Sequence, residues 1–462
     1  MAHLNESAND FASLRERLHR AIPGGAHTYS RGDDQFPSIA PPVLTRGLGA
    51  RVWDTNGVSY LDYGMALRAV TLGYAHPRVN AAAFAEIEKG VNLTRATLTE
   101  LEAAETLIDL IPSVDMVKFA KNGSNVTTAA VKIARAYTRR RYVCVPRQQP
   151  FFSFDDWFIG TTAIKRGIPE DQVSATLIFD YGNLDSLKAL FDAYPGEIAA
   201  VMMEPATTLV PCPSDCKNMA AWPNGDTTDC DGQENFLQQV QHLCRNDGAL
   251  FILDEMITGF RWHLGGAQTF FGVQPDLTTF GKGMANGFSV AAVGGRREIM
   301  EVGSINREGM ERTFLLSTTH GGEMPGLGAF IETVKIYREE NVVQHLWQYG
   351  KALQNGFTSL SAKHGLSDFV HTDGPPISMN YITRNKDRDI SLQFRTLLAQ
   401  ELLKRGVLMP WIAISHAHGD TELQQTLEAL DGALAVYAQA LDVGVDQFLQ
   451  GPAIRPVFRT HN

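Results

Sequence analysis

The chain has 462 residues, 44% of them hydrophobic and 20% charged, which supplies a large core in two or three lobes and argues against a disordered or fibrous protein. Its formal net charge of −10 argues against nucleic acid or an anionic membrane as a main partner, since both need a cationic face. No apolar run approaches the roughly 20 residues that cross a bilayer.

The first residues, Met1-Ala2-His3-Leu4-Asn5-Glu6-Ser7, carry no apolar segment of the kind that directs secretion, so a cytoplasmic location is expected. Five thinly spread cysteines then read as reduced thiols. Three of them, Cys212, Cys216 and Cys230, share one polar stretch. A metal clip, a disulfide and incidental thiols all suit that stretch. The spacing lacks a C-x₂-C pair and a clear fourth ligand, so incidental thiols and no metal are the expectation.

In chain order, residues 10–22 have amphipathic spacing and stop at Pro23-Gly24-Gly25, which predicts a leading helix. Residues 51–61, with Asn56-Gly57 between two short apolar runs, predict a hairpin. From about residue 100 the pattern alternates strand and helix. Candidate strands are 116–120, 142–145, 176–179, 198–203, 249–253, 278–280 and 291–294. Their continuous apolar character suits a mainly parallel sheet buried on both faces, with function at the strand ends. Beyond about residue 325, long amphipathic helices at 326–337 and 422–441 enclose short strands, including 376–381. That describes a smaller α+β domain. The expected division is an N-terminal segment to 65, a large α/β domain over 66–325, a small domain over 326–445 and a poorly ordered tail over 446–462.

Between the first strand of the sheet and an alanine-rich helix lies Lys121-Asn122-Gly123-Ser124-Asn125. Such a junction offers free backbone N–H groups, a hydroxyl and the positive end of a helix dipole, so it favours a phosphate. A plain capped helix start has the same appearance. No G-x-x-x-x-G-K-[ST] run is present, so a nucleotide P-loop is not supported.

The most telling feature is a pair of strand ends about thirty residues apart. Ala249-Leu250-Phe251-Ile252-Leu253 ends in Asp254, and Thr278-Thr279-Phe280-Gly281 ends in Lys282. An acid and an amine delivered in this way suit pyridoxal phosphate: Asp254 would keep the pyridine nitrogen protonated, and Lys282 would form the Schiff base. Each alone also suits a turn residue or a solvated lysine.

Taken together, these segments resemble the class III aminotransferases, pyridoxal phosphate enzymes of fold type I, and within them the glutamate-1-semialdehyde aminomutase-like branch. The resemblance spans roughly residues 20–440. It rests most on Leu253-Asp254-Glu255-Met256-Ile257-Thr258-Gly259-Phe260-Arg261 followed by Phe280-Gly281-Lys282-Gly283. Pro23-Gly24-Gly25, Leu72-Gly73-Tyr74-Ala75-His76-Pro77 and Glu204-Pro205 support it. It implies Lys282 as Schiff-base lysine and proton shuttle, Asp254 on the pyridinium, and Met256 against one ring face. It also implies Asn122, Gly123 and Ser124 around the phosphate, with Glu204 in the cofactor site. Phe151 would take the place of the aromatic that covers the other ring face; Phe151-Phe152-Ser153 departs from the usual Tyr-His-Gly. Thr319, in Ser317-Thr318-Thr319-His320-Gly321-Gly322, would reach the partner's cofactor phosphate in a homodimer with shared active sites. Arg31 and Arg68 would hold an anionic part of the substrate.

The implied reaction is transamination from an amino donor to a carbonyl acceptor, through the Lys282 Schiff base and a pyridoxamine phosphate intermediate. Two departures set the chain apart from the aminomutase. Leu67-Arg68 replaces Trp-Gly, and the loop Met409-Pro410-Trp411-Ile412-Ala413-Ile414-Ser415-His416 lacks the expected acid. An aminomutase remains the alternative reading. A racemase, a decarboxylase or an inactive binding protein on the same fold are further ones.

Overall fold

The computed structural model describes residues 10–212, 233–309, 311–314 and 316–461. The chain forms two compact units. One joins the stretch up to His76 with Gln348–Arg459, and the other is Pro77–Trp347.

Three short strands come first: β1 (Leu44–Leu48), β2 (Arg51–Asp54) and β3 (Ser59–Asp62). The expected hairpin joins β2 to β3. Asp54 Oδ1 accepts from the N–H groups of Asn56 and Val58, both at 2.9 Å, and Gly57 takes φ +80°, so the turn is closed by side-chain bonding and a left-handed glycine. Seven strands follow: β4 (Met116–Ala120), β5 (Tyr142–Pro146), β6 (Thr176–Phe179), β7 (Ile198–Met203), β8 (Leu250–Asp254), β9 (Leu277–Phe280) and β10 (Ala291–Gly295). The last are β11 (Val370–Asp373), β12 (Asn380–Thr383) and β13 (Val407–Leu408).

Strands β4 to β10 make one sheet in the order β4-β10-β9-β8-β7-β5-β6. Only β10 runs against its neighbours; the pairs β5–β6, β5–β7, β7–β8 and β8–β9 are parallel. Every residue of β7, β8, β9 and β10 is buried, which suits segments that are apolar throughout apart from Thr278, Thr279 and the terminal Asp254. All seven sheet strands fall where the sequence placed them, in the mainly parallel sheet that was expected.

The sheet unit extends past residue 325. Helix Met324–Glu339 packs against helix Pro77–Glu88, and Gly328 makes the approach close: a Cβ there would stand 2.6 Å from Glu86 Cγ. Its apolar face belongs to this core, and the boundary between the units, Trp347/Gln348, falls within the next helix, Val342–Lys363.

The other unit holds a four-stranded sheet, β1-β2-β3-β13, in which β13 runs parallel to β3, and the pair β11–β12. The chain end also departs from expectation. Arg455 N bonds Asp34 O at 2.9 Å, Ile454 N bonds Thr396 Oγ1 at 2.9 Å, and Arg459 pairs with Asp34 at 2.6 Å. Composition marks such a stretch as polar but does not register partners far away in sequence.

Cys144 and Cys244 are buried free thiols. Cys212 is disulfide-bonded, contrary to the expected reduced thiol, because a chain-wide count says nothing about which sulfurs meet. Cys216 and Cys230 lie outside the described residues. Among the described residues no helix is long and apolar enough to cross a membrane, and no cluster of His, Cys, Asp or Glu could hold a metal ion.

Candidate active site

The sheet brings the ends of β4, β8 and β9 and the start of β10 to one edge. In the register, Ala120 lies beside Ala291, Ala292 beside Phe280, and Thr279 beside Asp254. The turns that leave β4, β8 and β9 therefore start side by side, although they are far apart in sequence.

Asp254 ends β8 and is almost wholly buried. Its Oδ1 accepts from Met256 N at 3.0 Å and from Thr279 Oγ1 at 2.9 Å. Burial pushes its carboxyl up to about 6; the two hydrogen bonds and the charge of Lys282 oppose that rise. A carboxylate held in this way is short of compensating positive charge. Both bonds fall on one oxygen, which leaves Oδ2 outside the pair. A pyridinium N–H supplies what that carboxylate lacks.

Lys282 follows Gly281 at the end of β9 and opens a single 3₁₀ turn, Lys282–Ala285. Its backbone has φ +32°, a strained value for a side-chain-bearing residue and of a kind that gathers at functional sites. Met256 packs over both neighbouring glycines. A Cβ on Gly281 would fall 2.5 Å from Met256 Sδ, and one on Gly123 would fall 3.0 Å from it. Glycine at these two positions is what lets the thioether lie flat between the β9 turn and the helix that follows β4.

That helix, Gly123–Thr138, is capped by Asn122, whose side chain accepts from Asn125 N at 3.0 Å. Ser124 Oγ accepts from Phe154 N at 3.1 Å, so its own hydrogen remains available to donate. The first-turn N–H groups, the hydroxyl and the dipole of a sixteen-residue helix form a cradle suited to a phosphate ester. The cradle, the buried carboxylate and the lysine together fit pyridoxal phosphate in charge and donor type.

The remaining expected residues are distributed unevenly. Phe152 is buried in the core, its carbonyl bonded by Thr127 Oγ1 at 2.9 Å, whereas Phe151 is about half exposed and meets the Phe158 ring edge-on. Glu204 follows β7 and is buried; its backbone is held at both ends by Gln149, at 2.8 Å each way. Thr319 is exposed, and its carbonyl accepts from Asn92 Nδ2 at 2.7 Å. Sequence reasoning assigned no role to Thr279 or Gln149. Strand pairing between β8 and β9 points to the first; no local signal points to the second.

Arg31 lies in the other unit, on a pocket of about 360 Å³ that is also lined by Phe36, Pro42, Leu67, Leu408 and Trp411. Arg68 is not among the lining residues. It ends a turn, Met65–Arg68, in which four successive side-chain-bearing residues take φ of +39°, +49°, +63° and +67°. Such a left-handed turn costs L-residues on the order of 1–2 kcal/mol each. Asp62 and Tyr74 hold it. Gly64 N donates to Asp62 Oδ1 at 2.7 Å, Met65 N to Asp62 Oδ2 at 3.0 Å, and the Tyr74 hydroxyl to Asp62 Oδ2 at 2.6 Å.

Comparison with known proteins follows this geometry. The family model described as Aminotransferase class-III matches residues 29–209 and 224–416. A glutamate-1-semialdehyde 2,1-aminomutase of Acetivibrio thermocellus is 31% identical over 435 residues, covering 90% of this chain and 95% of its own. The protein of the same name from Chloroherpeton thalassium is 31% identical over 449 residues, covering 92% and 97%. Among solved structures, the FumI protein of Sphingopyxis sp. MTA144 in its PLP internal aldimine form is 28% identical, with a TM-score of 0.80 over 94% of this chain and 97% of that one. An omega-transaminase from Sphaerobacter thermophilus, 23% identical, shares the fold with a TM-score of 0.77 over 94% and 99%.

Proposed function

The chain belongs to the class III aminotransferases, pyridoxal phosphate enzymes, and from that premise we propose that it moves an amino group from an amine donor to a separate carbonyl acceptor. The observation that carries this reading is the sequence of the turn Met65–Arg68. Where the similar aminomutases are expected to have Trp-Gly, this chain has Leu67-Arg68, and Leu67 lines an apolar pocket.

Bound at the strand ends, pyridoxal phosphate supplies an electron sink for the bond broken at the amine's α-carbon. Asp254 Oδ2 holds the ring nitrogen in its charged form. Lys282 Nζ, as the neutral amine, would take the proton from the α-carbon of the bound amine. Gly123 N–H, Ser124 N–H and Ser124 Oγ hold the phosphate, and Met256 closes one face against water. Phe151 would cover the cofactor ring, and Glu204 would border the site. Arg31, and Arg68 with it, attract an anionic substrate group.

The test is an absorbance spectrum of the purified protein through a panel of amine donors. One donor is expected to bleach the cofactor band, and only an added 2-oxo acid or aldehyde restores it. Product formed from an amino aldehyde without donor or acceptor indicates the aminomutase, which the names of the relatives favour. Loss of the α-hydrogen without transfer indicates racemisation.

The active form is a homodimer in this reading. Phe84, Val91, Leu93, Leu98 and Leu101 are large apolar side chains left exposed along one stretch, with Leu98 83% exposed. Asn92, within that stretch, bonds the Thr319 loop that is expected to cross to a partner's phosphate. Light scattering is expected to give twice the chain mass for the wild type. It is expected to give the single mass for Leu98→Asp, with activity lost alongside. Acid is welcome in the first turn of helix Leu98–Leu110, so the fold survives this change. A fully active wild-type monomer refutes the shared site.

A further inference from the structure

We propose that Glu255 is a positioning residue for the cofactor ring: four hydrogen bonds fix its carboxylate and with it the turn that carries Asp254 and Met256, and its buried charge adds to that of Asp254 at the ring nitrogen. The inference rests on the assignment of Asp254 to that nitrogen and holds for transamination and isomerisation alike.

Glu255 follows Asp254 directly and is 1% exposed. Its Oε1 accepts from Gln268 N at 2.9 Å and from Gln268 Nε2 at 3.2 Å; its Oε2 accepts from Ala267 N at 2.8 Å and from Thr258 Oγ1 at 2.8 Å. Three of these four donors are N–H groups that cannot accept, so the arrangement is one for an ionised carboxylate. All four are neutral and hold the charge without cancelling it. Gly266 makes the approach possible. It takes φ +81°, and a Cβ there would stand 2.5 Å from Glu255 Oε1. The Gln268 amide is itself oriented from behind: Ser113 Oγ donates to its Oε1, which turns the NH₂ group towards Glu255. A buried charged group stabilises a fold no better than a well-packed apolar side chain of like volume, so stability alone gives no account of this cluster.

Two bonds carry the order to the group that meets the ring. Glu255 N donates to Thr279 O at 2.8 Å, and Thr279 Oγ1 donates to Asp254 Oδ1 at 2.9 Å. Glu255 thus holds the carbonyl of the residue whose hydroxyl orients Asp254. Glu255 O accepts from Gly259 N at 3.0 Å, which closes the turn in which Met256 N reaches Asp254 Oδ1. The charge acts alongside these bonds. Two successive acids at the end of a buried strand make a field that favours a cation at the ring nitrogen, with little water to screen it. Without cofactor, burial raises the Asp254 carboxyl and the Glu255 charge adds to the rise. A ring cation attracts both acids and relieves their repulsion.

The test compares pyridoxal phosphate with 1-deazapyridoxal phosphate, in which a C–H group replaces the ring nitrogen while the aldehyde and the phosphate remain. Cofactor-free protein is titrated with each, and the dissociation constants are read from intrinsic fluorescence. Wild type is expected to favour pyridoxal phosphate, and Glu255→Gln to lose about tenfold of that preference, the order expected of one buried charge. A side chain that serves folding alone weakens both ligands alike, so an unchanged preference in Glu255→Gln overturns the proposal. Glu255→Asp keeps the charge and shortens the reach to Ala267 and Gln268. Both ligands are expected to bind it about tenfold more weakly, with the preference within about twofold of wild type. Wild-type affinities in Glu255→Asp overturn the positioning role, whether or not the glutamine variant folds. Asp254→Asn separates the two assignments. If it removes the preference and Glu255→Gln does not, Asp254 stands and the role of Glu255 falls. If wild type shows no preference, both fall.

Discussion

Replacing Lys282 with alanine is expected to lower turnover on the order of ten-thousandfold while the protein still retains pyridoxal phosphate. The loss follows from removing both the covalent attachment and the base at the α-carbon; a positioned general base alone is worth about a hundred- to ten-thousandfold. Retention follows because the groups proposed to hold the phosphate and the ring nitrogen come from other segments, the helix start at Gly123 and the end of β8 at Asp254. Alanine inherits the same φ of +32°, so the turn gains no new strain. Single-turnover kinetics with the bleaching donor, together with the spectrum of the dialysed variant, test both halves. Turnover within about tenfold of wild type sinks the assignment of Lys282. Free cofactor on dialysis sinks the account of the cradle.

Asp254→Asn is expected to reduce activity about a hundred- to thousandfold, the usual cost of removing a preorganised charge from a buried site, and yet to stabilise the cofactor-free protein above pH 6. Burial raises the folded carboxyl to about 6, against about 3.9 for an unperturbed aspartate. Between these values the folded protein holds a proton that the unfolded chain has released. The stabilising contribution of the neutral acid is therefore present in full below about pH 4 and is lost as the pH rises through about 6. Two pH units correspond to about 3 kcal/mol, the burden the ionised acid places on the cofactor-free fold at neutral pH. Asparagine keeps the bonded oxygen and carries no such burden. Urea titrations at pH 5 and pH 7.5 are expected to show the variant gaining on the cofactor-free wild type at both, and about twice as much at the higher pH. Adding pyridoxal phosphate should stabilise the wild type more at pH 7.5 than at pH 5, because its ring cation meets an ionised partner. A difference that does not vary with pH contradicts the role given to Asp254.

Only part of the site was legible before folding. Asp254 and Lys282 stand out because a charge at the end of an unbroken apolar strand is visible as a change in pattern. Asn122-Gly123-Ser124 is visible for the same reason, as a turn between strand and helix. Thr279 is not, because its hydroxyl matters only once β9 lies beside β8 in a register that places it opposite Asp254. Gln149 supports Glu204 across 55 positions, and nothing near either residue announces the other.

The sequence by itself determined the seven strands of the large sheet, the class of the fold, the cofactor, and the strand ends that carry acid and amine. All of these depend on local periodicity and on residues within a few positions of one another, where the physics of burial and of strand termination acts directly. Tertiary structure alone decided the unit boundary at Trp347, the bonded chain end at Arg455 and Arg459, the disulfide state of Cys212 and the left-handed turn at Met65–Arg68. In that turn four ordinary side chains adopt a backbone that none of them favours. The bonds that compensate come from Asp62, from Tyr74 and from Trp411, more than three hundred residues away in the chain. Local preference points the other way at each of those positions, so only the folded arrangement of distant groups selects the conformation that shapes the pocket.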